Sequence, residues 1–283
     1  MEIKKVGVVG CGLMGSGIVE VCARAGYDVV VREVNDELLQ KGLERVKKSM
    51  SKGVQRGKLS QEDMDAAWQR IQGTTTLADM ADCDLVIEAA VEKMEVKKAI
   101  FAELDSIVPP HAILASNTSS LCVTEMASVT KRSDKVLGIH FFNPVPVMPL
   151  IEFVRTILTS DETMEIAHKF GASLGKTMVT AKDTPGFIVN RLLVPYLLDA
   201  VRIYEAGLAS KEDIDTAIHL GLSHPIGPLA LLDFVGLDTC LFIADAMYEE
   251  FKDPRYAAPP LLRRMVLAGH LGRKSGKGFY DYA

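Results

Sequence analysis

A chain of 283 residues, 48% hydrophobic and 24% charged, has the profile of an ordinary globular protein, long enough for one large domain or two ordinary ones. A net charge of −5 and a pI near 5.7 give no global electrostatic case for nucleic acid or an anionic membrane as partner. Five scattered cysteines (Cys11, Cys22, Cys83, Cys122, Cys240), with no CxxC and no ligand-like pairing with histidine, suit a reducing cytoplasm and argue against a disulfide framework or a structural zinc.

The opening residues, Met1-Glu2-Ile3-Lys4-Lys5, run straight into a strand pattern and leave no room for a secretory signal. The stretch from Val6 to Glu33 organises the rest of the chain. An apolar run, Val6 to Val9, enters Gly10-Cys11-Gly12-Leu13-Met14-Gly15. A helical pattern from Ser16 ends at Gly26, and a second β-branched run, Val29-Val30-Val31, finishes in the acid Glu33. This is a βαβ unit with a dinucleotide fingerprint. Gly10 allows the tight turn, Gly12 clears the approach of a pyrophosphate, and Gly15 permits close helix packing. The helix N-terminus offers unpaired N–H groups to the phosphates. Glu33, 18 residues after Gly15, stands near the spacing expected of an acid that binds the adenosine ribose. A lone GxGxxG is a common chance turn, but here strand, turn, helix, second strand and acid occur in order. Cys11 reads as a small residue filling a tight place, with redox sensitivity as the competing reading.

Asn35-Asp36 caps a helix predicted to about Gly57, and a second segment, from Ser60 to about Ile71, folds back on it. Lys41, Arg45, Lys47, Lys48, Lys52, Arg56 and Lys58 make this hairpin basic, either as a solvated face or as a lip for a phosphorylated substrate. Strand pattern returns at Ile71 to Thr76 and at Asp84 to Ala90, the latter nearly all apolar, as in a parallel strand covered on both faces. A helix over Lys93 to Leu104 precedes a short buried strand, Ala112 to Ala115, which delivers Ser116-Asn117-Thr118-Ser119-Ser120 at its carboxyl end. Lys135 to Ile139 delivers His140-Phe141-Phe142-Asn143-Pro144, and Met148 to Val154 carries Glu152 inside an apolar run. A helix (Asp161 to Leu174) and a strand (Thr177 to Ala181) complete the alternation.

After Lys182 to Gly186 only helical patterns remain: Phe187 to Glu205, Ser210 to His219, Leu229 to about Phe251, and Pro260 to Ala268. The predicted fold is therefore α/β, a mostly parallel Rossmann-type sheet over residues 1–183, followed by a smaller all-α domain over residues 184–283. The richest apolar stretch, Pro225 to Met247, is interrupted by Asp233, Asp238 and Asp245 and does not read as a membrane span.

Ligands of open α/β sheets bind at the carboxyl ends of strands. Ser119, His140 and Asn190 are polar groups at strand ends or just past the domain boundary. Glu152, a carboxylate in an apolar run, costs several kcal/mol unless paired, and an imidazole is its natural partner. Oxidising a secondary alcohol with a nicotinamide needs a hydride acceptor and a base. His140 would be the base, with Ser119 and Asn190 holding the oxygen. Each has a plainer alternative: His140 as a structural hydrogen-bonder, Ser119 as a cap for a helix near Leu121, Asn190 as an ordinary helix residue.

Taken together, Gly10 to Gly17, Ile87-Glu88-Ala89-Ala90-Val91-Glu92, Ala115 to Ser120, His140 to Pro144, Thr184 to Arg191 and the tail Gly272 to Tyr280 resemble the 3-hydroxyacyl-CoA dehydrogenase family, closest to its short bacterial 3-hydroxybutyryl-CoA dehydrogenases, along essentially the whole chain. The resemblance implies His140 as the catalytic base and Glu152 as its paired acid, with Ser119 and Asn190 positioning the substrate oxygen. It implies NAD contacts from Gly10, Gly12, Leu13, Met14, Gly15, Glu33, Glu92, Lys97, Asn117, Ser119, Asn143 and Lys274. It also implies an acyl-CoA substrate along the basic hairpin and a homodimer formed by the helical domain, which walls the active-site cleft.

The family position matching Glu33 is commonly aspartate, and here Arg32 precedes it. A carboxylate repels a 2′-phosphate and favours NAD. Arg32 should point to the opposite face of the strand, but a twisted strand end would let it meet the phosphate of NADP. The expected function is reversible oxidation of a short (S)-3-hydroxyacyl-CoA, such as 3-hydroxybutyryl-CoA to acetoacetyl-CoA. Its rivals are a same-fold dehydrogenase of a free hydroxy acid and a non-catalytic dinucleotide-binding protein.

Overall fold

The computed structural model describes residues 2–282. The chain divides into two compact units, Met1–Thr184 and Pro185–Ala283.

The first unit is built on one sheet of eight strands, β1 (Lys5–Val9), β2 (Asp28–Arg32), β3 (Ile71–Thr74), β4 (Leu85–Glu88), β5 (Ile113–Ser116), β6 (Val136–Phe141), β7 (Leu150–Arg155) and β8 (Thr177–Lys182), in the order β3-β2-β1-β4-β5-β6-β7-β8. Strands β1 to β6 are parallel; β7 pairs antiparallel with β6, and β8 parallel with β7. Every residue of β4, β5 and β6 is buried, which is why these strands read as continuous apolar runs. Six helices cover the sheet: α1 (Leu13–Arg24), α2 (Asp36–Gln55), α3 (Gln61–Gln69), α4 (Met94–Ile107), α5 (Val123–Ala127) and α6 (Asp161–Ser173). Asn35, Ser60 and Ser160 cap α2, α3 and α6, each side chain accepting a backbone N–H three residues on. The α2–α3 hairpin buries Val46, Met50, Met64 and Ala67 against the main core and turns its lysines outward.

Two expectations change here. β6 runs through His140 to Phe141, so the histidine lies within the strand and not beyond it, because pairing with β7 extends the ladder. β7 begins at Leu150, two residues later than the apolar pattern from Met148 suggested.

The second unit consists of α7 (Val189–Glu205), α8 (Lys211–Gly221), α9 (Pro228–Val235), α10 (Leu237–Phe251) and α11 (Pro260–Leu267) around Val194, Leu198, Leu232, Ala244, Met247 and Leu262. The single helix expected over Leu229 to Phe251 is two. Gly236 adopts φ +102°, a conformation that glycine reaches without penalty, and the chain turns there between α9 and α10. Buried Asp233 on α9 accepts from the N–H groups of Phe279 and Tyr280 and from the Tyr282 hydroxyl, which holds the tail of the chain in place. Among the described residues, no helix is long and apolar enough to cross a membrane.

Candidate active site

Strand order reverses between β1 and β4, and the glycine turn lies at their carboxyl ends, where a crevice opens. Gly10 has φ +97°, and a Cβ there would come within 2.6 Å of the Ala89 carbonyl oxygen, so no other residue fits without displacing the neighbouring strand end. At Gly15 a Cβ would meet the Gly10 carbonyl, a closer conflict with the turn itself than with the sheet. Gly12 differs: a Cβ there meets no protein atom within 4 Å, so the bare backbone serves approach from outside. The Glu33 carboxylate accepts from the Cys11 N–H at 2.7 Å, which fixes the acid beside the turn. The crevice, about 780 Å³, is lined by Gly10, Gly12, Leu13, Met14, Glu33 and Ala89 to Val91. A glycine cradle, a helix N-terminus and a fixed acid are the parts that a dinucleotide requires, and these residues fit one.

Arg32 borders the same crevice while its Nε donates to the Thr75 carbonyl at 3.2 Å. Cys11 is buried against Gly42, and burial, with the Glu33 charge adding, pushes its thiol up to about 12 despite Arg45 nearby. It is a filler of a tight place.

His140 on β6 and Glu152 on β7 are direct partners in the antiparallel register. His140 Nδ1 lies 2.7 Å from Glu152 Oε2, both side chains buried. A carboxylate only accepts, so Nδ1 carries the hydrogen of this bond. The ring also packs on Phe142, with centroids 4.6 Å apart. This is the geometry of an oriented general base, and it provides the partner that a carboxylate in an apolar strand requires.

Asn117 and Ser119 follow β5. The Asn117 side-chain oxygen accepts from the Phe141 N–H at 2.9 Å, tying this loop to the strand of His140. The Ser119 N–H donates to Glu92 at 3.1 Å. Ser119 does not cap the following helix. The amides of Val123 and Thr124 and the Thr124 hydroxyl all donate to Asp183 instead. Lys97 is 1% exposed, its ammonium placed between Glu88 (2.8 Å) and Glu92 (3.0 Å), so it lies behind Glu92 and not on the crevice surface. Sequence reasoning passed over Glu88 and Asp183. The signal for Glu88 was available, since it is an acid ending an apolar strand, the same anomaly that singled out Glu152.

Asn143 is exposed in the segment between β6 and β7, beside a cavity of about 100 Å³ that Leu13, Glu20, Arg45 and Ser49 also line. Asn190 and Lys274 belong to the second unit. Asn190 is half-buried in the first turn of α7, and the Lys274 ammonium donates to Asp238 at 2.6 Å.

The family model described as the NAD binding domain of 3-hydroxyacyl-CoA dehydrogenase matches residues 5–184, and the model of its C-terminal domain matches residues 186–282. The chain belongs to the 3-hydroxyacyl-CoA dehydrogenase family. Among family members it is 54% identical over 282 residues to the 3-hydroxybutyryl-CoA dehydrogenase of Mycobacterium tuberculosis strain H37Rv, covering 99% of each chain. It is 46% identical to the human mitochondrial hydroxyacyl-coenzyme A dehydrogenase, covering 99% of this chain and 91% of that one. The crystal structure of M. tuberculosis FadB2 superimposes with a TM-score of 0.99 at 54% identity, and that of (S)-3-hydroxybutyryl-CoA dehydrogenase from Ralstonia eutropha with 0.95 at 46%, each covering both chains fully. The family is one of NAD-binding oxidoreductases with a Rossmann domain followed by a helical one, and the NAD-binding match spans the unit that carries the glycine turn and its crevice.

Proposed function

We propose that this protein catalyses the reversible oxidation of short-chain (S)-3-hydroxyacyl-CoA, with 3-hydroxybutyryl-CoA and acetoacetyl-CoA as the working pair and NAD as coenzyme. The buried 2.7 Å bond between His140 and Glu152 carries this reading. The NAD that the glycine-turn residues would hold supplies a hydride acceptor. His140, through Nε2, takes the hydroxyl proton of the substrate in oxidation and returns it to the nascent alkoxide in reduction. Glu152 holds the ring through Nδ1 and stabilises the imidazolium as it forms. Ser119 and Asn190 hold the substrate oxygen. Gly10, Gly12, Leu13, Met14, Gly15, Glu33, Glu92, Asn117 and Asn143 contact or frame the coenzyme, Lys97 supports Glu92 from behind, and Lys274 closes over it.

NAD is favoured over NADP because the Glu33 carboxylate, fixed beside the turn, repels a 2′-phosphate, while Arg32 spends its Nε donor on the Thr75 carbonyl. In our reading the helical unit forms a homodimer, as the family resemblance implies, and the enzyme works in the cytoplasm, in keeping with the cysteine usage.

The test is oxidation of NADH and, separately, NADPH by the purified protein with acetoacetyl-CoA, with free acetoacetate as control. Thioester-dependent turnover with NADH is expected. Turnover of free acetoacetate at a similar rate would overturn the substrate class, and preference for NADPH would overturn the reading of Arg32 and Glu33.

A further inference from the structure

We infer that Glu88 is a positioning residue for the proposed dehydrogenase reaction: through Lys97 it holds the coenzyme crevice and the Ser119 loop in one frame. Glu88 ends β4 and is wholly buried. Its carboxylate accepts from Lys97 Nζ at 2.8 and 2.9 Å, from Ser116 Oγ at 2.6 Å and from the Ala90 N–H at 2.7 Å. These donors stand on α4, on the end of β5 and on the crevice wall, where Ala89 to Val91 face Gly10 and Gly12. Lys97 passes the constraint on. Its ammonium also lies 3.0 Å from Glu92, and Glu92 in turn accepts from the Thr118 hydroxyl and from the Ser119 N–H at 3.1 Å.

Stability alone gives little reason for such a chain. A buried ion pair repays its desolvation poorly, and a neutral pair of similar shape serves a core as well or better. What the charges add is direction. Each carboxylate oxygen and each ammonium hydrogen has a defined partner, so the glycine turn's neighbour, the head of α4 and the loop carrying Ser119 cannot move independently. Removing Lys97 leaves the Glu88 charge buried with no counter-charge, and removing Glu88 leaves Lys97 with Glu92 alone; either change distorts the frame from inside.

The full-length protein should be compared with Glu88→Gln, Lys97→Met and the double variant, measuring Tm, the Kd for NADH by fluorescence, and kcat and KM with acetoacetyl-CoA. Each single variant should weaken NADH binding about tenfold and lower kcat, with a smaller change in KM for acetoacetyl-CoA. The double variant, with both charges gone, should regain Tm while NADH affinity stays low. A pair that merely fills the core would recover both together, and that recovery, or a wild-type Kd in either single variant, overturns the inference. Ser116→Ala removes one arm and leaves both charges in place, so it decides the matter even where a charge variant fails to fold: weaker NADH binding is expected, and wild-type affinity overturns the role. The inference rests on the proposed reaction, yet NADH binding does not depend on the acyl substrate. A wild-type enzyme without turnover would therefore sink the reaction and leave the Kd values to judge Glu88.

Discussion

At the scale of single residues, the proposed reaction has His140 and Glu152 divide the work of one base between them, and substitution should separate their parts. His140→Ala should lower kcat by about 10²- to 10⁴-fold with the Kd for NADH nearly unchanged, because the glycine turn and Glu33 are untouched. Wild-type turnover in that variant would remove His140 from the mechanism. Glu152→Gln keeps the shape and the bond but removes the charge that favours the imidazolium. Its rate profile against pH should shift, and superimposable profiles would argue against the pair.

A second prediction concerns Glu20 on α1, 2% exposed, with Oε1 bonded to Arg24 at 3.2 Å and Oε2 receiving no hydrogen bond of proper geometry among the described residues. Burial raises its pKa, offset in part by Ser49 and Arg24. The folded state thus holds this proton more tightly than the unfolded state does. The charged form costs stability as pH rises from the ordinary carboxyl value through the folded one, and below the ordinary value the penalty vanishes. Glu20→Gln should therefore raise Tm at neutral pH by about 2–4 °C, for a gain of about 1 kcal/mol. The gap to wild type should close on acidification. A Tm difference independent of pH between 4 and 8 (about the range in which carboxyls titrate) would contradict this account.

At the scale of elements, the first turn is the most exacting piece. Gly10→Ala forces a Cβ against Ala89 at a backbone angle that side chains avoid, a cost of about 1–3 kcal/mol, and it pushes the crevice wall outward. NADH affinity and Tm should fall together in this variant; normal affinity would show that the turn adapts. The α/β alternation was legible because buried parallel strands are continuous apolar runs, and the Asn35 cap marks where a helix begins. The break at Gly236 was not legible. The apolar spacing continues across it, and only a backbone angle distinguishes a turn from a tolerated helical glycine. The antiparallel course of β7 was also hidden, since alternation along one strand does not say which way its neighbour runs. The expectation that Glu152 needs an imidazole as partner agrees with its contact to His140, while the register that puts the two face to face had to come from the sheet.

At the scale of the whole molecule, the first unit has its own sheet, core and crevice beside the glycine turn, whereas Asn190 stands in the second. A fragment of residues 1–184 should fold and bind NADH with an affinity close to that of the full chain, yet show no turnover with acetoacetyl-CoA. Failure of the fragment to bind NADH would show that the crevice needs the helical unit. Coenzyme recognition was legible from local spacing in the sequence. The support behind it was not, because Glu88, Lys97, Glu92 and Ser119 are joined by folding across separate strands and helices.

The pairing of β6 with β7 bears on how such an enzyme can diversify. Ladder register runs from Gly138 opposite Val154 to Phe141 opposite Ile151, and it is this register that sets His140 against Glu152. Within the intervening segment Phe142 packs on the His140 ring and Val145 enters the core, whereas Val147 is exposed and outside the ladder. Insertions at Val147 can accumulate over lineages, or be introduced by design, while the register keeps His140 and Glu152 in step. New surface can thus be tried next to an unchanged pair.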